Sequence, residues 1–564
     1  MGINFIGKHG RSISRNPLAR KLIMNQAMKA AENGYRANLH TQEYPIGVCR
    51  DRYEMNKAII YTAERILTGP HPIADTYIRK LSEIMIQNIA MDGGYVSAQE
   101  SFFKRHGQRP PGLLVISPTK SCNLFCTGCY ANSGDASEKL SWEIFDELLT
   151  QAKEIYGNLF IVISGGEPFT YKDQGKTLLD MVEKHSDMFF MSYTNGTLID
   201  DATARRLAQT GNFSPAISVE GWRERTDERR GKGTYDKILV AMDNLRKYGV
   251  PFGISLTATK YNCEEIMTDE FIDHFFFQQG AAYGWIFHYM PIGRSFTTEL
   301  MPTPEQRLKM QQRSWELVRE KHIFLPDFWN HGTLVDGCIA SGRSNGGGYL
   351  YINWDGKVMP CVFVPYAATN INTIFAEGKD LNHVYEEPFF NDIRSWQDAY
   401  RKKNGSGKHG NLLAPCFIRD HHDVMREIVA RNEPDPENEP AREALLRHNT
   451  AHCTSPSATP MAAWPSTHAQ PAGARSSTPL YSTIPQPKAQ PKLPNTASAT
   501  SPLLRGMRRA PQPATQAHAS KKHPVPSSSA CGKPVETASG CAKASCTAPA
   551  AAQQMASAHR VRDR

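Results

Sequence analysis

The sequence predicts an α/β fold centred on a partial parallel barrel of six strand–helix units, and two observations predict it. Between residues 111 and 325, short runs rich in aliphatic and aromatic residues alternate with segments long enough for a helix, as a parallel sheet with crossover helices requires. On either side the pattern stops: residues 1–110 read as a helical region, 326–430 as a small region containing a hairpin, and 435–564 as a disordered tail.

The first helix opens at Asn16-Pro17, a cap followed by a first-turn proline. It continues through Leu18, Leu22 and the Met24/Ala27/Met28/Ala31 set and ends at Asn33-Gly34. Arg11, Arg15, Arg20 and Lys21 near its start would suit peripheral contact with a membrane surface, although such an apolar stripe more often joins a core. A second helical run extends from about Asp51 to Gly69-Pro70, and a third from Pro72 through Tyr77, Leu81, Ile84, Met85 and Ile89. Candidate strands follow: Leu113 to Ser117, Leu159 to Ser164, Met188 to Thr194, Pro215 to Val219, Pro251 to Thr257 and Tyr283 to Met290. Trp142 to Ile155 and Tyr235 to Tyr248 are the clearest helices between them. In such sheets the chemistry sits at the carboxyl ends of the strands. Further on, Gly346-Gly347-Gly348 precedes Tyr349 to Ile352, and Asp355-Gly356 turns the chain into Val358-Met359 as a hairpin tip.

The formal net charge of +9 would suggest a polyanionic partner, but it is concentrated in the tail. After residue 450 there are 13 Lys/Arg and 2 Asp/Glu, which leaves residues 1–450 at net −2. No nucleic-acid partner is therefore expected of the body, since a phosphate backbone is met by clustered Lys and Arg. The tail also holds 16 of the 37 prolines, with Ala, Ser, Thr and Gln and little aliphatic periodicity, so it cannot bury enough surface to offset its ordering entropy. Its Cys453, Cys531, Cys541 and Cys546 are read as unpatterned. No apolar stretch approaches the roughly 20 residues of a transmembrane helix, the N-terminus has no apolar leader, and Ile6 stands where myristoylation wants Ser or Thr. A cytoplasmic location is expected.

Cys122, Cys126 and Cys129 form a C-x3-C-x2-C loop directly after the first strand. Three thiolates on one short loop can hold three irons of a cubane and leave the fourth iron open. The competing reading is a zinc-stabilised binding protein, but structural zinc sites close with four ligands and usually use C-x2-C pairs. Later come Cys338, Cys361 on the hairpin, and Cys416, with Asp420, His421 and His422 just beyond. Strand ends carry further motifs: Ser164-Gly165-Gly166-Glu167-Pro168, Thr194-Asn195-Gly196, Ile217-Ser218-Val219-Glu220-Gly221, and Arg230-Gly231 within the run Thr226 to Asp236.

In this set of motifs the chain resembles the radical SAM superfamily over roughly residues 112–290. The resemblance implies a partial (β/α)6 TIM-like barrel, a [4Fe-4S] cluster on Cys122, Cys126 and Cys129, and S-adenosyl-L-methionine as cofactor. It implies that Gly165, Gly166, Glu167 and Pro168 bind the methionine amino group, that Thr194 and Asn195 belong to the same site, and that Ser218 and Glu220 reach the ribose hydroxyls. Arg230 would pair the methionyl carboxylate, with Arg229 adjacent. The reaction implied is reductive cleavage to a 5′-deoxyadenosyl radical that removes hydrogen from a substrate, fed by a reductant such as flavodoxin or ferredoxin. No catalytic side chain is assigned. One departure is Gly128, where the family often has an aromatic residue near the adenine, with Tyr130 following the third cysteine.

Cys338, Cys361 and Cys416 resemble a shortened SPASM or twitch-like extension, which implies at most one auxiliary iron–sulfur cluster with an open or unusual fourth position; the plain alternative is three unrelated buried thiols. Asp420, His421 or His422 would be candidates for that position. Tyr283, Trp285, Phe287, His288 and Tyr289, with Arg294 beyond, would line an apolar pocket or pack the barrel. The sequence does not identify the substrate; a peptide or protein, or a lipid-like metabolite, is expected. The remaining alternative is an iron–sulfur electron carrier or sensor without turnover.

Overall fold

In this computed structural model the described residues are 16–41, 43–85, 95–294, 297–402 and 411–450. Four helices precede the sheet: α1 (Pro17–Thr41), α2 (Ile46–Thr68), α3 (Asp75–Met85) and α4 (Tyr95–His106). The Asn16 side chain caps α1 by accepting from the Leu18 and Ala19 amides. This helix does not stop at Asn33-Gly34. It runs on to Thr41 because Tyr35 stacks on Tyr53 of α2 at 5.0 Å, a tertiary contact that outweighs one exposed helical glycine. The apolar stripe of α1 also divides: Met24, Ala27, Met28 and Ala31 are half-buried, whereas Leu18 and Leu22 are exposed, so the core role expected of the stripe applies to part of it. Arg11, Arg15, Ile89 and the tail cysteines lie outside the described residues.

Six strands, β1 (Leu113–Ile116), β2 (Phe160–Ile163), β3 (Phe189–Thr194), β4 (Phe213–Val219), β5 (Gly253–Ala258) and β6 (Tyr283–His288), each pair in parallel with the next. Crossovers carry α5 (Trp142–Glu154), α6 (Leu178–Lys184), α7 (Asp201–Thr210), α8 (Arg223–Arg230), α9 (Thr234–Tyr248) and the short α10 (Asp269–Asp273). Helix α5 shows why they form: Ser141 caps it through the Ile144 amide, and Trp142, Phe145, Leu148, Leu149 and Ala152 recur at helical spacing on its buried face.

The hairpin of β7 (Tyr349–Ile352) and β8 (Lys357–Met359) belongs to the same sheet. β7 lies parallel to β1, in register from Leu113 with Tyr349 to Ile116 with Ile352, and β8 returns antiparallel to β7. With β9 (Tyr366–Ala367) and β10 (Thr369–Asn370) following, the nine-stranded order is β10-β8-β7-β1-β2-β3-β4-β5-β6. At the opposite edge, Phe324 and Pro326 accept from Gly284 and Ile286 of β6, which covers an otherwise open strand. Strand β6 alternates half-buried Tyr283, Trp285 and Phe287 with buried Gly284, Ile286 and His288, and register places Trp285 beside Ser255 and Ser255 beside Ser218. These residues share one face of the sheet.

After α11 (Pro304–Glu320) and α12 (Pro388–Lys402), the chain forms α13 (His422–Asn432), β11 (Asp435–Pro436) and α14 (Glu439–Thr450). Order therefore continues past residue 435, where composition led us to expect disorder. Specific contacts explain it: β11 pairs with β9, Lys357 meets Asp435 at 2.6 Å, and the Tyr366 hydroxyl donates to the Ala441 carbonyl at 3.2 Å. Among the described residues no helix is long and apolar enough to cross a membrane.

The N-terminal helices are fastened through buried charge. Asp51, 1% exposed, meets Arg319 of α11 at 2.7 Å and accepts from the Thr333 hydroxyl, while Arg52 bonds Asp336 and the Thr333 carbonyl. Arg319→Ala leaves the Asp51 carboxylate buried without its cation and is expected to cost about 3 kcal/mol in chemical denaturation. A loss below about 1 kcal/mol, as for a surface pair, would contradict this account of the docking.

Candidate functional site

The C-terminal ends of β1 to β4 meet around the cysteine loop, and backbone contact sets its position. Gly166 N donates to Thr119 O, Glu167 N to Ser121 O at 2.8 Å, and Cys122 N to Gly134 O at 2.8 Å. A Cβ on Gly166 would stand 2.0 Å from the Ser121 carbonyl oxygen, and Gly165 has φ +112°, so both glycines are required by the close approach of two loops of this chain. The Gly-Gly pair serves the cysteine loop before it serves any ligand.

Arg294 holds the loop from the other side. Its amide donates to the Cys129 carbonyl, its guanidinium to the Cys126 and Ser133 carbonyls, and its plane lies over the exposed Phe125 ring. The sequence offers this residue either for an apolar pocket or for barrel packing; the structure shows it bracing the loop, a contact across 168 positions that no local pattern signals. Gly128 also acquires a reason: it has φ +65°, and a Cβ there would lie 2.6 Å from the Tyr289 ring, so Tyr289 occupies the space beside the third cysteine. Tyr130 turns inward, its hydroxyl 2.6 Å from Ser164 Oγ and accepting from Gly165 N, and burial pushes its pKa up to about 12.

The three thiols are free. Burial pushes Cys122 up to about 11 and raises Cys126, with Arg230 opposing the rise at Cys126. Neutral thiols in these positions need a positive group to be held as thiolates. Among the described residues no three His, Cys, Asp or Glu side chains converge on one ion; a four-iron cluster instead takes one thiolate per iron.

Two buried carboxylates do different work. Glu167 Oε1 accepts from the Thr194 hydroxyl at 2.7 Å and Phe169 N at 3.2 Å, and Oε2 from Asn195 N at 2.7 Å. Burial raises its pKa against these donors. Asn195 in turn donates to Asn123 at 2.8 Å, inside the cysteine loop, so Glu167, Thr194 and Asn195 form one brace between β2, β3 and the loop. Pro168 is buried at the start of the next turn. Glu220 is bracketed by both arginines: Arg230 donates Nε to Oε1 at 2.9 Å, and Arg229 Nη1 lies 2.6 Å from the same oxygen without hydrogen-bond alignment. Arg229 also donates to the Thr127 and Gly128 carbonyls, which ties α8 to the loop. Burial pulls the Arg230 pKa down, but Glu220 and Cys126 more than offset it. Glu220 Oε2 is buried with no hydrogen-bond partner, just past the end of β4 and two residues from half-buried Ser218. An orphaned carboxylate oxygen at a strand end fits a ligand that brings hydroxyl donors.

Cys338, Cys361 and Cys416 approach one another from three segments: Ser341 N donates to Pro360 O and Tyr349 N to Ile339 O, which lays the chain after Cys338 against the Cys361 hairpin. The neighbouring thiols raise one another's pKa, Cys338 and Cys361 at Cys416 and Cys338 at Cys361. Burial is the larger cause and pushes Cys361 up to about 12. The Arg419 guanidinium is buried beside Cys416 with Nη2 unpartnered, which fits an anionic group at the three thiols. Asp420 is already engaged by Arg307 at 3.1 Å and by the Cys416 amide at 3.1 Å; His421 contacts the Ala414 carbonyl, and His422 opens α13. Between the two cysteine sets stand aromatic rings: Phe363 lies 6.4 Å from Tyr130, 6.3 Å from Phe287 and 4.8 Å from Trp329. Tyr193 meets Phe287 edge-on at 5.3 Å. His288 stacks on Trp329 at 5.5 Å and is buried between Asp327 and Arg419.

The Radical SAM superfamily model matches residues 116–270. The chain is 27% identical over 357 residues to the AdoMet-dependent heme synthase of Methanosarcina barkeri, covering 57% of this chain and 92% of that protein. It is 34% identical over 157 residues to the Fe-coproporphyrin III synthase of the same organism, covering 27% and 39%. It is 28% identical over 309 residues to the mycofactocin maturase MftC of Mycolicibacterium smegmatis, covering 52% and 75%. Among solved structures, Streptococcus suis SuiB bound to S-adenosylmethionine aligns with TM-score 0.44 and 19% identity, covering 64% of this chain and 87% of that one.

Gly166→Ala forces the Ser121 carbonyl away and should destabilise the protein by about 2 kcal/mol, read as a lowered Tm by calorimetry. An unchanged Tm would mean that the two loops do not pack as described.

Proposed function

We propose, on the premise that residues 116–270 make this chain a member of the Radical SAM superfamily, that Cys122, Cys126 and Cys129 hold a [4Fe-4S] cluster beside bound S-adenosylmethionine and that a substrate loses hydrogen in the space between the two cysteine sets. When bound, a cluster reduced by a flavodoxin or ferredoxin would supply, with the cofactor, radical chemistry to this space; the protein's residues bind, orient and shield. The observation that carries the reading is the loop of three thiols fixed at the carboxyl ends of parallel strands, facing a buried Glu220 with one oxygen to spare.

In this reading Glu220 Oε2 and Ser218 receive the ribose hydroxyls. Arg230 offers its guanidinium to the methionyl carboxylate while remaining paired to Glu220. Glu167 keeps one acceptor position, because Oε2 carries a single donor, and that position suits the methionyl ammonium among the Gly165, Gly166 and Pro168 backbone. Thr194 and Asn195 hold Glu167 and the loop in register. Tyr289 fills the space that Gly128 leaves open and would offer its ring to the adenine.

For the substrate we favour a heme-like tetrapyrrole. The match to the heme synthase runs through 92% of that protein, and Phe287, Phe363 and Trp329 offer a wall of flat rings. A peptide or protein is the second reading, supported by 30% identity over 174 residues to the cysteine-type anaerobic sulfatase-maturating enzyme of Clostridium perfringens.

Anaerobically reconstituted, dithionite-reduced protein should convert S-adenosylmethionine to 5′-deoxyadenosine, and Cys126→Ala should abolish this. Iron coproporphyrin III should stimulate product formation in the wild type. A colourless protein that forms no 5′-deoxyadenosine would contradict the reading, and stimulation by a peptide alone would favour the second substrate class.

A further inference from the structure

Resting on the reading of Cys338, Cys361 and Cys416 as ligands of a second iron–sulfur centre, we propose that Tyr349 sets the reduction potential of that centre through its hydrogen bond to Cys361. The Tyr349 hydroxyl donates to Cys361 Sγ at 2.9 Å, and both residues are buried. The hairpin produces this contact. Register pairs Val358 with Ile352 and Met359 with Tyr351, so two further steps bring Cys361 opposite Tyr349 on the same face.

The direction of the bond is fixed by its surroundings. Val362 N donates to the tyrosyl oxygen at 3.3 Å, which occupies that oxygen as an acceptor and leaves its own proton for the sulfur. Phe363 N approaches the same sulfur at 3.5 Å. A ligating thiolate that accepts hydrogen bonds gives up part of its negative charge to them. The reduced centre, which carries the extra electron, gains more from this than the oxidised one, so the potential rises. Tyr349 is thus a positioning and tuning residue; it reaches the centre only through Cys361.

The same strand supplies a control. Tyr351 stands two residues on, on the same face and equally buried, but its hydroxyl bonds Ser117 Oγ at 2.9 Å. Removing that hydroxyl changes a buried tyrosine of β7 without touching a cysteine of the second set.

The test uses the full chain carrying Cys122→Ala, Cys126→Ala and Cys129→Ala, so that only the second centre takes up iron. Iron and sulfide are measured after anaerobic reconstitution, and the midpoint potential is followed by EPR. We expect Tyr349→Phe to keep the iron content of this background with a more negative midpoint, and Tyr351→Phe to leave the midpoint unchanged. Equal midpoints for the background and Tyr349→Phe overturn the tuning role while the second centre stands. Loss of iron in Tyr349→Phe also overturns it, by making the hydroxyl part of the scaffold. A background that takes up no iron removes the second centre itself and the proposal with it.

Discussion

Backbone packed on backbone decides where the three thiols stand. Gly165 and Gly166, at the end of β2, lie so near the Thr119 to Ser121 stretch that neither could carry a side chain, and the amides of Gly166 and Glu167 bond that stretch. The loop after β1 is thereby fixed to the end of β2, the Glu167 brace extends the fixation to β3, and Arg229 extends it to α8 after β4. Four strand ends converge on one loop through contacts that need little help from hydrophobic burial. The barrel supplies a rigid frame, and the loop is attached to the frame at several independent points.

Electrostatics divide the neighbourhood in two. Around the first cysteine set, Arg229 and Arg230 share Glu220, a buried triad with one positive charge in excess whose desolvation cost is worth bearing only where the geometry serves something further. The unpartnered Glu220 oxygen indicates what that is, an acceptor held ready in a dry place. Around the second set, Arg419 and Arg307 share Asp420, and the sulfur of Cys361 accepts a hydrogen bond from the Tyr349 hydroxyl. The rings of Tyr130 and Phe363, one following Cys129 and the other two residues past Cys361, bring these unlike environments into contact.

What was legible in the sequence followed from local rules. All six parallel strands fall where aliphatic runs placed them, within a few residues, and the helices Trp142–Glu154 and Thr234–Tyr248 follow their apolar spacing. The motifs at the strand ends were legible because they are contiguous. What escaped was non-local. Nothing near Arg294 says that it braces a loop far earlier in the chain, and nothing near Tyr349 says that it reaches Cys361 until the hairpin register is known. Helix α1 outran its expected stop because Tyr35 found Tyr53, and residues 435–450 became ordered because β9 and Lys357 gave them partners. Glycine 128 looked like a departure from pattern and is explained by a ring contributed from the end of β6.

The central claim is that the loop of three thiols and the Glu220 corner form one cofactor site. The most direct measurement is the EPR spectrum of the dithionite-reduced chain carrying Cys338→Ala, Cys361→Ala and Cys416→Ala, recorded before and after addition of S-adenosylmethionine. The account predicts a reduced-cluster signal whose shape changes when the cofactor is added, and a much weaker response when Glu220→Gln is introduced. A reduced cluster whose spectrum is indifferent to the cofactor would contradict it.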